Sequence, residues 1–409
     1  MRRLHLLEVG LGWPPEDYLR RKLEGLASRG MRVTVATEVS CRDASHRLRG
    51  VDLLRLPPWD EPRLAMLAGV ARDALVVGLR HPRRLWGLLR ATRNARLVRV
   101  SLPLVRAQAD VVHFEWESAA VAFLPVFDAC SAATVVSSHG GIYIRPHMGD
   151  ERVSGSYAAL FGKASAVHCV AHAVKGEATT GYGLDPRKAR VIHTGVDTAF
   201  FSPGSEPRAA RAEFRVVGVG ELSWLKGYAD ALEAIARLAG GGVPVIYEIA
   251  GGEPPLGSAK ASDRTRLLYL VRDLGLEDRV RLVGGLSQEG VLDLLRRADV
   301  LLQASLSEGL PNTVLEAMAC TLPVVVTDCG GLREAVTDGV EGFICPRRSP
   351  QLLADALHSL WAEPLLAERM GRAGRERVLA EFTLARQLDS FVQLYEDVSS
   401  GQRAPDPAT

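Results

Sequence analysis

No uninterrupted apolar run in the 409-residue sequence approaches the ~18 residues of a membrane-spanning helix, so no segment is expected to cross a bilayer. No CxxC pair occurs either. The six cysteines (Cys41, Cys130, Cys169, Cys320, Cys329 and Cys345) are scattered, which argues against a disulfide framework or a zinc site and for a reducing compartment. The opening MRRLHLLEVGLGWPPED has neither a long apolar core nor a small-residue cleavage site. No secretory signal is read there, and the cytoplasm is the default location. An excess of one charge is missing too: 50 Lys+Arg against 48 Asp+Glu leave a formal net charge of +2, which gives no whole-chain reason to bind nucleic acid.

What is present is an ordinary globular composition, 47% hydrophobic and 24% charged, over a length that implies two or more domains with their own cores. Short apolar runs alternate with amphipathic segments. LHLLEV (4–9) leads through Gly10-Leu11-Gly12 into a helical stretch with Leu19, Leu23 and Leu26 on one face, then into MRVTVAT. Strand, helix, strand with short connections is the pattern of a parallel sheet. DVVHF (110–114) and TVVSS (134–138) are continuous rather than alternating, as strands covered on both faces are. The pattern restarts at 214. FRVVGVG, PVIYEIAGG, RVRLVG, DVLLQAS and LPVVVT read as strands, and YADALEAIARLA as a helix with Leu232, Ile235, Ala236 and Leu238 inward. Between the two series, FFSPGSEPRAARAE (200–213) is rich in Pro, Gly and Ser and reads as a linker. The expected fold class is α/β, with two Rossmann-like, doubly wound parallel-sheet domains over 1–205 and 206–381 that face each other across a cleft.

Segment 63–108 is different. Arg63, Arg72, Arg80, Arg83, Arg84, Arg90, Arg93, Arg96, Arg99 and Arg106 stand against a single acid, Asp73, with leucines and Trp86 interleaved at roughly helical spacing. One reading is an amphipathic surface for anionic lipid or an anionic acceptor. The other is a pair of solvated helices in a chain whose positive charge is mostly arginine throughout.

The stretch SLSEGLPNTVLEAMACTLPVVVTDCGGLREAV (305–336) begins where a strand ends, which puts Ser307-Glu308-Gly309 at a ligand-binding edge. Gly309 permits close backbone approach, and Pro311 suits the first turn of a helix, where its missing N–H costs nothing. The free N–H groups of Asn312 and Thr313 would then form a phosphate-binding helix start. Glu316 follows on the same side. Taken singly, Glu308 is a loop carboxylate and Glu316 a residue that favours the helix dipole. In this frame, S-x-x-E-G-x-P-x-x-x-x-E-A-M-A-x-x-x-P-V from Ser305 to Val324, the segment resembles the Glu-x7-Glu signature of retaining glycosyltransferase family 4, whose architecture is GT-B. Thr321 stands where that family usually has Gly, a turn change taken as tolerated. VGVGELSWLKGYADALEA (217–234) resembles the family's first C-domain strand, glycine turn and Lys-Gly, and the opening of the chain together with Trp224-x-Lys226-Gly227-Tyr228 resembles members that build exopolysaccharide or cell-surface glycans.

The resemblance implies transfer of a sugar from a nucleotide diphosphate sugar to a saccharide or lipid-linked acceptor, with the anomeric configuration kept. It implies catalytic roles for His139, Lys226 and Glu308. Lys226 would hold the diphosphate, while Glu308 and His139, from opposite walls of the cleft, would position the sugar. Donor binding would fall to Gly12, Gly220, Leu286 beside the base, Gly309, Leu310, Pro311, Asn312, Thr313, and Glu316 on the ribose. Gly12 is equally read as part of an ordinary strand-to-helix turn, and His113 as structural. Gly330 and Gly331 are expected close to the donor, and Glu334 to be structural. Arg145 and His147 are further candidates for acceptor or phosphate contact, while Ile142 occupies a place where the family often has an acid. The helix over 382–398, with Leu384, Leu388, Phe391, Leu394 and Tyr395 on one face, is expected to cross back to the first domain. No Asp-x-Asp motif is present, so no metal and no other cofactor is expected. One departure bears on activity. Glu221 stands where the family usually carries Arg, and a carboxylate facing a diphosphate would repel it. Either Glu221 turns away and another cation substitutes, or donor binding is weakened. The alternatives are therefore a nucleotide-sugar-binding protein with little or no transferase activity, or another GT-B enzyme such as a nucleotide-sugar epimerase.

Overall fold

The computed structural model describes residues 3–38, 46–129, 132–140, 151–204, 212–254 and 262–401. Two compact units emerge: Met1–Val170 with Val174–Ile192 and Leu388–Thr409, and Ala171–Ala173 with His193–Gln387. The chain thus enters the second unit ahead of the Pro/Gly/Ser-rich 200–213 stretch, and its C-terminal helix belongs with the first unit from Leu388 on.

The first unit contains β1 (His5–Val9), α1 (Asp17–Ser28), β2 (Arg32–Thr37), β3 (Val51–Arg55), α2 (Arg63–Arg80), α3 (Pro82–Ala91), α4 (Ala95–Ala107), β4 (Val111–Phe114), α5 (Glu117–Phe123), β5 (Ala133–Ser138), α6 (Glu151–Lys163), β6 (Ala166–Cys169), α7 (His172–Tyr182) and β7 (Ala189–Val191). Its sheet is parallel in the order β3-β2-β1-β4-β5-β6-β7. All of β1 and β4 is buried, which is why their sequences run without alternation. Segment 63–108 forms three helices rather than a pair. The third, α4, is buried from Leu97 to Leu102, and Arg99 leaves the cationic surface to pair with Glu61 and Asp73.

The second unit contains β8 (Phe214–Val219), α8 (Tyr228–Gly240), β9 (Val245–Ala250), α9 (Arg264–Asp273), β10 (Val280–Gly284), α10 (Gln288–Arg297), β11 (Val300–Gln303), α11 (Asn312–Ala319), β12 (Val324–Thr327), α12 (Leu332–Ala335), β13 (Gly342–Cys345), α13 (Pro350–Ala362), α14 (Pro364–Glu381) and the start of α15 (Leu384–Ser399). The parallel order is β10-β9-β8-β11-β12-β13. The predicted inward face of α8 is observed: Leu232, Ile235 and Leu238 are buried, and Ala236 packs at the edge of the same core. Each buried leucine or isoleucine contributes about 1.5–3 kcal/mol. In both sheets the connections leave in opposite directions from a central pair of strands, β1 and β4 in the first and β8 and β11 in the second. A doubly wound sheet offers its crevice at that point, beyond the C-terminal strand ends.

Candidate active site

In the second unit, the turns following β8 and β11 are drawn together by backbone. Gly227 sits at φ 64°, and a Cβ there would lie 1.8 Å from the carbonyl oxygen of Ala304. The Leu306 N–H donates to the Leu225 carbonyl at 2.7 Å. These contacts place Lys226 on Glu308: Nζ donates to Glu308 Oε1 at 2.7 Å. The same oxygen accepts from Gln303 Nε2 at 2.9 Å and Ser305 Oγ at 2.7 Å. Three donors on one oxygen hold the Glu308 side chain, which is 10% exposed against 21% for Lys226. A cation and a carboxylate that still reach solvent at the strand ends can receive a phosphate and a hydroxyl respectively.

The loop bearing Glu308 is buttressed from behind. Gly330, at φ 53°, would place a Cβ 1.9 Å from the Glu308 carbonyl oxygen, and the Gly331 N–H donates to the Gly309 carbonyl at 2.6 Å. The close approach expected of Gly330 and Gly331 is therefore to the Glu308–Gly309 backbone itself. Burial, then the charge of Glu308, pushes the nearby Cys329 thiol up to about 12. Pro311 stands just before α11 as its cap residue rather than within its first turn, so Asn312 and Thr313 are the first two helical residues. Their N–H groups lie where no preceding turn can satisfy them. Val314, Leu315, Ala317 and Met318 are buried, which leaves Asn312, Thr313 and Glu316 together on the half-open face. Leu310 is buried in the core and can meet a ligand only through its backbone.

Gly220 ends β8 beside the lysine: a Cβ there would lie 3.0 Å from Lys226 Cε. Tyr228 donates its hydroxyl to the Gly220 carbonyl at 2.8 Å, and burial, then Glu308 and Glu221, keeps that phenol protonated. Glu221 is half-buried at the same strand end, and Leu286, 39% exposed, follows β10. Within the second unit, to which Ala171–Ala173 belong, Glu334 accepts from the N–H groups of His172 and Ala173 at 2.8 and 2.9 Å and from His193 Nε2 at 2.8 Å. Burial opposes its ionisation, but these hydrogen bonds hold it below the usual carboxylate range.

The first unit has its own constellation at the corresponding strand ends. Glu8 and His113 are paired in register across β1 and β4, and His113 Nδ1 lies 3.1 Å from Glu8 Oε1. Lys22 is buried on α1 between Glu8 (3.3 Å) and Glu115 (2.5 Å). His139, just past β5, donates Nε2–H to Glu115 Oε1 at 3.1 Å and packs its ring against Trp116. Burial works against charge on Glu115, but Lys22 and His139 hold it well below the usual range. An ionised carboxylate only accepts, so His139 Nε2 is the donor in this contact. His113 is fully buried, bonded also to Tyr395 and Ser137. Gly12 has open space around it, whereas Gly10, at φ 85°, meets Ala119. In that turn the steric requirement therefore falls on Gly10. Ile142, Arg145 and His147 lie outside the described residues.

The sequence reading passed over Glu115, Lys22 and Gln303, and took Tyr228 only as part of a family-like motif, with no role at the site. Lys22 left one signal, since it shares the helical face of Leu19, Leu23 and Leu26. Glu115 left none beyond following a strand.

Comparison with known proteins agrees with this geometry. Residues 206–377 match the family model described as glycosyl transferases group 1, and 16–200 match that described as glycosyltransferase family 4. The chain is 30% identical over 315 residues to a D-inositol 3-phosphate glycosyltransferase of Kribbella flavida, covering 71% of this chain and 73% of that protein. It is 29% identical over 304 residues to a glycogen synthase of Mycobacterium tuberculosis, covering 73% and 71%. Among solved structures, a sucrose-phosphate synthase from Thermosynechococcus elongatus is similar with a TM-score of 0.78 at 21% identity, covering 98% of this chain and 100% of that one. Anabaena HepE in complex with UDP and glucose is similar at 0.72 and 18%, covering 97% and 100%. The structural likenesses establish the GT-B fold. Family models over both halves and relatives at this identity establish more: the chain belongs to glycosyltransferase family 4 and is a retaining, nucleotide-sugar-dependent glycosyltransferase.

Proposed function

We propose that the Lys226–Glu308 pair and the start of α11 form the donor site for a nucleoside diphosphate sugar. The observation that carries this is the 2.7 Å contact between Lys226 and Glu308 at the ends of adjacent strands, beside the half-open Asn312, Thr313 and Glu316. On donor entry the lysine leaves Glu308 for the diphosphate, and the freed carboxylate takes a sugar hydroxyl. The N–H groups of Asn312 and Thr313, at the positive end of α11, add to the diphosphate grip. Gly220, Gly309 and Pro311 keep the path to it clear, Glu316 binds the ribose, and Leu286 lies beside the base. His139 helps to position the transferred sugar. The leaving diphosphate takes the acceptor proton on the same face, and the protein's task is to stabilise the departing charge. Lys226 and the helix start supply that stabilisation without a tightly bound metal. Glu221, half-buried at the end of β8, favours a second reading in which donor affinity is retained and turnover is slow. The acceptor is a saccharide or a lipid-linked glycan on the cytoplasmic side, in glycan or polysaccharide biosynthesis, with membrane contact through the 63–108 segment.

A panel of nucleotide sugars screened by thermal shift, followed by nucleoside diphosphate release, tests this. One donor should raise the melting temperature and be turned over. Glu316→Ala should lose most of both responses. Undiminished binding and release in that variant would remove α11 from the site.

A further inference from the structure

We propose that the outer face of α2 and α3, with the arginine-lined cavity at its flank, docks the first unit on a bilayer of anionic phospholipid. The inference deepens the membrane contact proposed above and rests on that reading.

Helix α2 turns Met66, Gly69 and Val77 inward, and a Cβ on Gly69 would lie 2.5 Å from Arg99 Nε. Its outer stripe, Leu64-Ala68-Ala71-Leu75-Leu79, follows helical spacing and is apolar as well. Leu64 is 83% exposed, Leu75 65% and Leu79 79%. A helix apolar on both faces is normally covered on both. Helix α3 extends the patch with Trp86, 63% exposed and 5.9 Å from the Arg90 guanidinium, and with Leu89. An open apolar patch of this extent marks a binding surface.

The charge around it identifies the occupant. Arg63, Arg72, Arg80, Arg83, Arg90 and Arg93 are exposed, and the single acid of the segment, Asp73, is already engaged by Arg72 and Arg99. Leucine and tryptophan among arginines is the composition of a helix that lies in a membrane interface. A second copy of the chain would bring the same arginines face to face in a two-fold contact. Beside the patch, a cavity of about 260 Å³ opens between the end of β3 and helices α2 and α4. It is lined by Arg55, Arg72, Arg99 and Arg106, of which Arg99 is already held by Glu61 and Asp73. Guanidinium forks suit a phosphodiester headgroup better than a zwitterionic surface, whose charges cancel.

The full chain is sedimented with vesicles of phosphatidylcholine alone and of phosphatidylcholine mixed with phosphatidylglycerol. Binding should appear with the mixed vesicles only and weaken as salt rises. Leu75→Glu combined with Leu79→Glu should lower the partition coefficient at least about ten-fold, and Arg80→Ala or Arg83→Ala about five-fold each. None of these residues is placed in the donor site, so nucleoside diphosphate release should stay at the parental rate. Equal binding to both vesicles, binding to neither, or full binding by the Leu75→Glu/Leu79→Glu variant would overturn the proposal. So would light scattering that shows a dimer dissociated by that variant. Vesicle binding with the expected variant losses, but no transfer to any lipid-linked acceptor, would leave the docking face standing and remove the lipid-linked acceptor.

Discussion

Removing the Lys226 charge tests whether the ion pair at the crevice is a scaffold or a donor grip. Lys226→Met keeps most of the stem and deletes the ammonium that lies 2.7 Å from Glu308 Oε1. Glu308 Oε1 then retains two neutral donors, Gln303 and Ser305, and loses the one charged donor it has among the described residues. At the effective dielectric of a protein surface, opposite unit charges 4 Å apart interact by about 4 kcal/mol. The lysine is 21% exposed, and water recovers part of this. The stability cost should therefore be about 1–3 kcal/mol. Glu308→Gln should cost a similar amount, because it strands the ammonium. The double variant should recover part of the loss, with a coupling of about 1–2 kcal/mol in a denaturant-unfolding cycle. Turnover should behave differently. If Lys226 meets the diphosphate and Glu308 the sugar, each single change lowers kcat/KM by about 10²–10³, and the double variant stays at least as low. Nucleoside diphosphate release measures it. A double variant that regains turnover along with stability would refute the donor-grip assignment, since only a scaffold is repaired by removing both partners.

Two further predictions concern positions where the fold sets a cost. Thr321 is a β-branched residue held at φ 56° just after α11, with its N–H on the Met318 carbonyl and that of Leu322 on the Ala317 carbonyl. This is the left-handed helix stop that glycine adopts without strain, so Thr321→Gly should raise stability by roughly 1 kcal/mol despite added chain entropy; an unchanged or lower midpoint would contradict that. Lys22→Met should leave Glu8 and Glu115 buried and unneutralised, at a cost of about 3–5 kcal/mol near neutral pH. In the parent, Glu115 is held below the ordinary range, so its contribution is complete above about 4.5 and is lost as pH falls through the depressed value. In the variant the carboxyls move upward instead, and the destabilisation relative to the parent should shrink as pH falls from about 7.5 to 5. A pH-independent difference in unfolding free energy would sink the triad.

Much of the donor side was legible because its chemistry lies within short stretches of chain. Lys226 follows one strand within a Lys-Gly turn, and Glu308, Asn312, Thr313 and Glu316 occupy a single loop and helix start. Strand ends in a parallel sheet necessarily share an edge, so reading the strands already places these residues near one another. The glycines were legible as close approaches, but not what they approach: Gly330 and Gly331 meet the Glu308 loop, and Gly227 meets Ala304. Segment 63–108 shows the opposite case. Its periodicity announced helices and its arginines a charged surface, yet one helix is core and Arg99 is buried with two acids.

The amino-acid order alone determined the periods of the strands and helices, the doubly wound class and the signature around Glu308, because these depend on residues within a few turns of each other. Tertiary structure decided the partners. Lys226 and Glu308 are joined across 82 residues, and Lys22 and Glu115 across 93. A buried charge is recognised only by what neutralises it, and that neighbour is fixed by strand order and sheet register, which no local pattern encodes.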